Sequence, residues 1–194
     1  MDQFWFYLKQ GFTHVLDFSA YDHILFLIIL TVPYTFKDWK RVFWLVTVFT
    51  IGHTLSLILS TYGVVRVNAG LVEFLIPITI LIAAIFNVFV AGKGARKEKY
   101  GLIFFVTLFF GLIHGLGFSN YFRTMVSNTH NKFLSLIEFA LGVELAQVVI
   151  VLFVLIVGFI IQSIFRFNKK DWITVISSIV IGLVIPMIGR TWPY

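Results

Sequence analysis

HVLDFSAYDHILFLIIL, residues 14–30, changes character halfway along. Its first ten residues hold two histidines and two aspartates, His14, Asp17, Asp22 and His23. The rest is wholly apolar and continues through TVPYTF to Phe36. An uninterrupted apolar run of this kind reads as the beginning of a membrane span. Four ionisable groups at its lip therefore need a reason to be there. Each costs on the order of 3 kcal/mol in hydrocarbon on the mildest scale, unless it meets a partner, a metal or water.

The rest of the chain makes the membrane reading firm. The protein has 194 residues, 59% of them hydrophobic and 12% charged, with 23 phenylalanines, and its mean hydropathy is +0.96. Soluble domains carry about 25% charged residues, and a chain this apolar has no polar surface with which to cover a water-soluble core. There is no cysteine, which excludes disulfides, thiolate metal sites and cysteine nucleophiles. The net charge of +6 is no nucleic-acid signal, because the basic residues sit in short clusters between apolar runs.

Six apolar runs, at about 21–36, 42–62, 70–91, 100–119, 134–165 and 172–189, are long enough to cross a bilayer. Residues 3–18 form an amphipathic lead-in, expected to be a short interfacial helix, and lack the basic start and small-residue cleavage site of a removable signal. The fold class expected is thus an all-α polytopic bundle of about six transmembrane helices in one domain covering 1–194. Ten of the 15 Lys and Arg residues fall in the loops after the first, third and fifth runs. Positive charge stays in the cytoplasm, so both termini are expected outside.

With that orientation the polar residues of the spans converge. His14, Asp17, Asp22 and His23 lie at the outer end of the first span, and His53 just past the middle of the second. Glu73 lies near the outer start of the third, His114 in the outer half of the fourth, and Glu138 near the outer mouth of the fifth, with Glu144 and Gln147 following roughly 15–20 Å down at 1.5 Å per residue. Arg190 ends the sixth. Asn87 alone is clearly on the inner side. Such a set predicts a polar basin open to the outside. Thr50, His53 and Thr54 share one face of their helix, and Gly111 and Gly115 flank His114, where small residues let helices approach closely.

A donor set of imidazole and carboxylate without sulfur suits divalent zinc, nickel or cobalt. The expected ligands are His14, Asp22, His23, His53 and His114. Asp17, Glu73, Glu138, Glu144, Gln147 and Arg190 are expected to orient them or to carry protons. Plainer roles stand beside these. One span histidine is often helix–helix glue, Asp17 fits a turn, Asn87 fits glue, and His130 fits a solvated loop. Three functions are open on these residues: metal permeation, an intramembrane metal-dependent hydrolase with Glu144 or Asp22 as base and Ser56 or Ser119 assisting, and a structural subunit of an envelope complex. Lipid and a metal ion are the expected partners, with a protein partner or oligomer also open and no nucleic acid.

YDHILFLIIL (21–30), FTIGHTLSLILS (49–60), LVEFLIPITI (71–80), FGLIHGLGFS (110–119), FALGVELAQ (139–147) and IGRTW (188–192) together resemble the HupE/UreJ family of bacterial membrane proteins. The resemblance implies nickel or cobalt uptake, linked to hydrogenase or urease, in a multi-pass protein of the bacterial inner membrane. It also implies a functional set of His14, Asp22, His23, His53, Glu73, His114, Glu144 and Gln147. Two departures stand out. Seven residues separate His14 from Asp22 where the family pattern has five, which on an unbroken helix would turn His14 by about 200°. Phe86 precedes Asn87 where an acidic residue would be expected.

Overall fold

A computed structural model describes residues 2–91 and 100–193. Among them there are seven α-helices and no strand: α1 Asp2–Val15, α2 Asp22–Thr31, α3 Trp39–Thr61, α4 Ala69–Val90, α5 Tyr100–Met125, α6 Lys132–Ser163 and α7 Lys169–Arg190, with one 3-10 turn, Phe36–Asp38. Helices α3 to α7 are each long and apolar enough to cross a membrane. Their boundaries are written in the chain. Asn68, Asn131 and Asn168 stand just before α4, α6 and α7, and each side-chain oxygen accepts a backbone N–H of the first turn, as an N-cap does. Thr35 and Asp38 form a capping box before α3.

The first expected span is different. Helix α2 has ten residues, about 15 Å at 1.5 Å per residue, half of the ~30 Å hydrocarbon layer. It ends at Thr31 because Pro33 follows, which lacks the N–H that would bond the Ile29 carbonyl. It lies along the half of α4 that ends at Val90: Asp22 shares a cavity with Ile76 and Pro77, while Asn87 donates from Nδ2 to the carbonyl of Ile29 at 2.8 Å. The N-terminus of α2 thus sits partway down the bundle. The expected interfacial helix is α1, but it is docked rather than loose. It packs on α6 so closely that a Cβ on Gly11 would strike the Phe139 carbonyl, and one on Gly142 the Leu8 carbonyl.

Helices α3 and α5 meet with the same intimacy. A Cβ on Gly52 would strike the carbonyl of Leu108, one on Gly111 that of Phe49, and one on Gly115 that of His53. Backbone-to-backbone packing of this kind replaces the hydrophobic drive that lipid cannot supply. Phe26, Phe49, Phe122 and Phe139 fill the interior, and the outer faces of α3 to α7 show apolar side chains such as Ile51, Ile82, Phe105, Phe153 and Ile179.

Candidate metal centre

The histidines of α1, α2, α3 and α5 meet where α2 begins. The His14 and His23 ring centroids are 4.6 Å apart, each lies 5.7 Å from His53, and His23 is 5.2 Å from His114. His23, His53 and His114 are 3%, 1% and 1% exposed, and His14 is half-buried. Two groups of donors lie close enough to hold an ion: His14, His23 and His53, and Asp22, His23 and His114, with the donor atoms of each within 4.8 Å of one another.

The seven-residue gap between His14 and Asp22 does no harm, because no helix spans it. Helix α1 stops at Val15. In the turn that follows, Asp17 accepts the Ser19 N–H on its side chain at 2.8 Å, and its carbonyl accepts the Ala20 N–H at 3.2 Å. The helical phase is lost there, and α1 and α2 each aim their histidine independently. Asp17 is exposed and belongs to neither donor group, so it serves the turn.

The hydrogen bonds around the rings decide which nitrogen is free. His23 Nδ1 lies 3.0 Å from Asp22 Oδ1, which also accepts the His23 backbone N–H at 2.8 Å. A carboxylate only accepts, so Nδ1 carries the proton and Nε2 keeps its lone pair. His114 Nε2 is 3.3 Å from the Thr79 hydroxyl, which donates its own proton to the Ile76 carbonyl at 2.7 Å. Thr79 therefore accepts, His114 Nε2 is the donor, and Nδ1 is left bare. The nitrogens so freed, His23 Nε2 and His114 Nδ1, are buried with no protein partner, and so are His14 Nε2 and His53 Nε2. Leaving a buried polar group unsatisfied costs roughly 1–3 kcal/mol. Four in one place, with two rings oriented by hydrogen bonds on the opposite nitrogen, is how a histidine metal site is prepared. The residues present fit a divalent transition metal.

Aromatic rings close the centre off. Phe118 lies 3.9 Å from His14, Phe26 and Phe49 each 5.2 Å from His114, and Phe139 stacks on His53 at 6.3 Å, all centroid to centroid. On one side the centre is open: a cavity of about 260 Å³ reaches Asp22 and is lined also by Tyr21, Glu73, Pro77 and Arg190. Glu73 and Arg190 are thus at the mouth, not among the donors.

Glu144 and Gln147 form a second polar group, one helical turn further along α3. Thr47 donates to Glu144 Oε1 at 2.6 Å, and the Thr50 hydroxyl contacts Glu144 Oε2 and lies 2.9 Å from Gln147 Oε1. Gln147 Nε2 is buried without a partner. Glu138 is buried with Oε2 unpartnered, apart from both donor groups. Thr47 and Thr79 escaped the sequence reading. A hydroxyl in a helix bonds its own backbone so readily that nothing marks it; the cue for Thr79 was its place one turn after Ile76-Pro77, facing the partner helix of His114.

A family model described as HupE / UreJ protein matches residues 1–192. No curated protein and no solved structure matches the chain.

Proposed function

The chain belongs to the HupE/UreJ family, and from that premise we propose that it binds a divalent transition metal ion, nickel or cobalt before zinc, at His14, Asp22, His23, His53 and His114, and carries the ion across the membrane. The observation that carries this reading is the set of four buried imidazole nitrogens with no partner, of which His23 Nε2 and His114 Nδ1 keep their lone pairs. Histidines that serve as glue between helices spend their polar atoms on each other or on backbone; these point theirs at a common space. The ion is the cargo. Glu73 and Arg190 stand at the mouth through which it arrives, and the docked α1 and the aromatic rings keep water and other ligands away.

The Lys and Arg distribution supports a mouth on the periplasmic side of a bacterial inner membrane, with both termini there. The hydrolytic alternative draws less support. Of the two carboxylates expected to act as base, Glu144 is occupied by Thr47 and Thr50 and belongs to neither donor group, and Asp22 is hydrogen-bonded to the backbone and ring of His23.

Uptake of radioactive nickel into proteoliposomes tests the proposal. Wild-type protein is expected to accumulate the ion inside the vesicle, and His23→Ala to bring uptake down to that of empty vesicles. Metal that binds but never crosses would refute permeation and leave a binding or accessory role.

A further inference from the structure

Three of the four helices that bring a histidine to the centre also carry a phenylalanine one turn further from the open cavity. On α2 it is Phe26, three residues after His23. On α3 it is Phe49, four before His53, and on α5 it is Phe110, four before His114. Residues three or four apart share a helix face. Helix α2 runs opposite to α5: His23 meets His114, and Phe26, later on α2, meets Phe110, earlier on α5. The three rings therefore fall at one level. Phe26 stacks on Phe49 at 4.7 Å and stands edge-on to Phe110 at 5.9 Å, centroid to centroid, and all three are buried. On one side of them is His114, 5.2 Å from both Phe26 and Phe49. On the other is a second cavity, of about 310 Å³. Phe26 and Phe110 stand in its wall, with Phe86 and Leu102 toward the Val90 end of α4 and the Tyr100 end of α5. We infer that Phe26, Phe49 and Phe110 are a hydrophobic gate, shut in this structure, between the histidine centre and this inner cavity, and that moving Phe26 aside lets the ion leave the centre.

Apolar rings stop an ion because they offer nothing in place of its ligands. A charge passing between them gives up imidazole and water alike, and apolar constrictions gate channels by excluding water. Two of the three rings stand on a rigid pair: α3 and α5 carry Phe49 and Phe110, and their backbones touch at Gly52, Gly111 and Gly115. Phe26 stands on α2, which has ten residues and no such glycine contact. Its far half is tied to α4 by the Asn87 bond to the Ile29 carbonyl. Phe26 is thus the leaf of the gate, and Phe49 and Phe110 are its frame. Past the leaf, Asn87 and Thr107 bring polar side chains to the cavity wall. The Thr47–Thr50–Glu144–Gln147 group, the polar alternative, borders neither cavity, and hydrogen bonds join its oxygens to one another.

This inference rests on the permeation reading, and nickel uptake into proteoliposomes, measured beside nickel binding to the same purified variants, tests the two apart. Phe26→Ala and Phe110→Ala leave every proposed donor in place, so each is expected to bind nickel at the wild-type stoichiometry. Each is also expected to take nickel up roughly tenfold faster, which needs only about 1.4 kcal/mol off the barrier that the rings impose. Phe26→Leu keeps an apolar plug and should stay near the wild-type rate, whereas a ring needed only for packing would leave leucine and alanine without this contrast. Uptake at or below the wild-type rate in a folded, nickel-binding Phe26→Ala variant would refute the gate, and so would Phe26→Leu as fast as Phe26→Ala. Where Phe26→Ala loses its helical circular dichroism or monodispersity, Phe110→Ala decides by the same rate. Wild type that binds nickel but takes none up would sink the permeation reading, and the gate with it.

Discussion

Two polar groups lie one helical turn apart along α3, and they are built on opposite plans. In the Thr47–Thr50–Glu144–Gln147 group both carboxylate oxygens are met by hydroxyls, and the Gln147 carbonyl oxygen lies 2.9 Å from Thr50. In the histidine group the hydrogen bonds of His23 and His114 fall on one ring nitrogen, and their other nitrogens, with Nε2 of His14 and His53, have no partner. Thr50 and Gln147 are as buried as the histidines, while Thr47 and Glu144 are half-buried. A carboxylate met by hydroxyls of a neighbouring helix holds the two helices together, even with Gln147 Nε2 left unpartnered. A group whose ring nitrogens have no partner in the protein fits the proposed metal site.

The largest effect that would break this comparison belongs to His23. It is in both donor groups, so His23→Ala is expected to take nickel binding below detection by equilibrium dialysis, while Glu144→Gln changes affinity by no more than about threefold, under 1 kcal/mol. Comparable losses in the two variants would erase the distinction between the groups. Next comes the orienting bond. Asp22→Asn still reaches His23 Nδ1 but no longer holds it as a charged acceptor, and nickel affinity is expected to fall roughly 10- to 100-fold, as for other partners of ligating imidazoles. Thr79→Val should lie at the low end of that range, since the bond it removes is longer, at 3.3 Å; unchanged affinity in isothermal titration would show that Thr79 does not fix the His114 tautomer.

How much of this could be read before the structure depends on the kind of signal. Ionisable side chains in apolar runs are conspicuous because hydrocarbon penalises them, so His14, Asp22, His23, His53 and His114 could be assigned to one level of the bundle from spacing and loop charge alone. Their adjacency is a matter of helix packing, and only the glycines of α3 and α5 hinted at it. The shortness of α2 was hidden. ILFLIILTVPYTF is continuous in hydropathy, and the break at Pro33 changes backbone hydrogen bonding without changing polarity. The turn at residues 16–21 was visible as composition but not as consequence: that it frees His14 from the phase of α2 needs coordinates. Thr47 was beyond reach and Thr79 had only its place after Pro77 to mark it, because a threonine in a span has the same appearance whether it bonds its own helix or a neighbour's carboxylate or imidazole.

Stability sharpens the contrast from the other side. Thr50→Val strips half-buried Glu144 of a hydroxyl partner and is expected to destabilise the protein by roughly 1–3 kcal/mol, seen as a lower unfolding temperature in detergent, with nickel stoichiometry unchanged. His53→Ala removes a side chain whose Nε2 is unsatisfied and should lower that temperature less in the metal-free protein. The reverse ranking would mean that the histidines are structural and the threonine is not. The smallest effect is expected from Asp17, whose carboxylate serves one exposed turn: Asp17→Ala should shift stability by no more than about 0.5 kcal/mol and leave nickel affinity unaltered. A clear loss of binding would place Asp17 in the centre, against the geometry.

The most direct test is elemental analysis of the purified protein after nickel loading and removal of excess ion, wild type beside a His53→Ala/His114→Ala variant that interrupts both donor groups. About one equivalent of metal in the wild type and none in the folded variant is the predicted result. No metal in the wild type, or equal metal in both, would contradict the claim that the bare imidazole nitrogens are there to receive an ion.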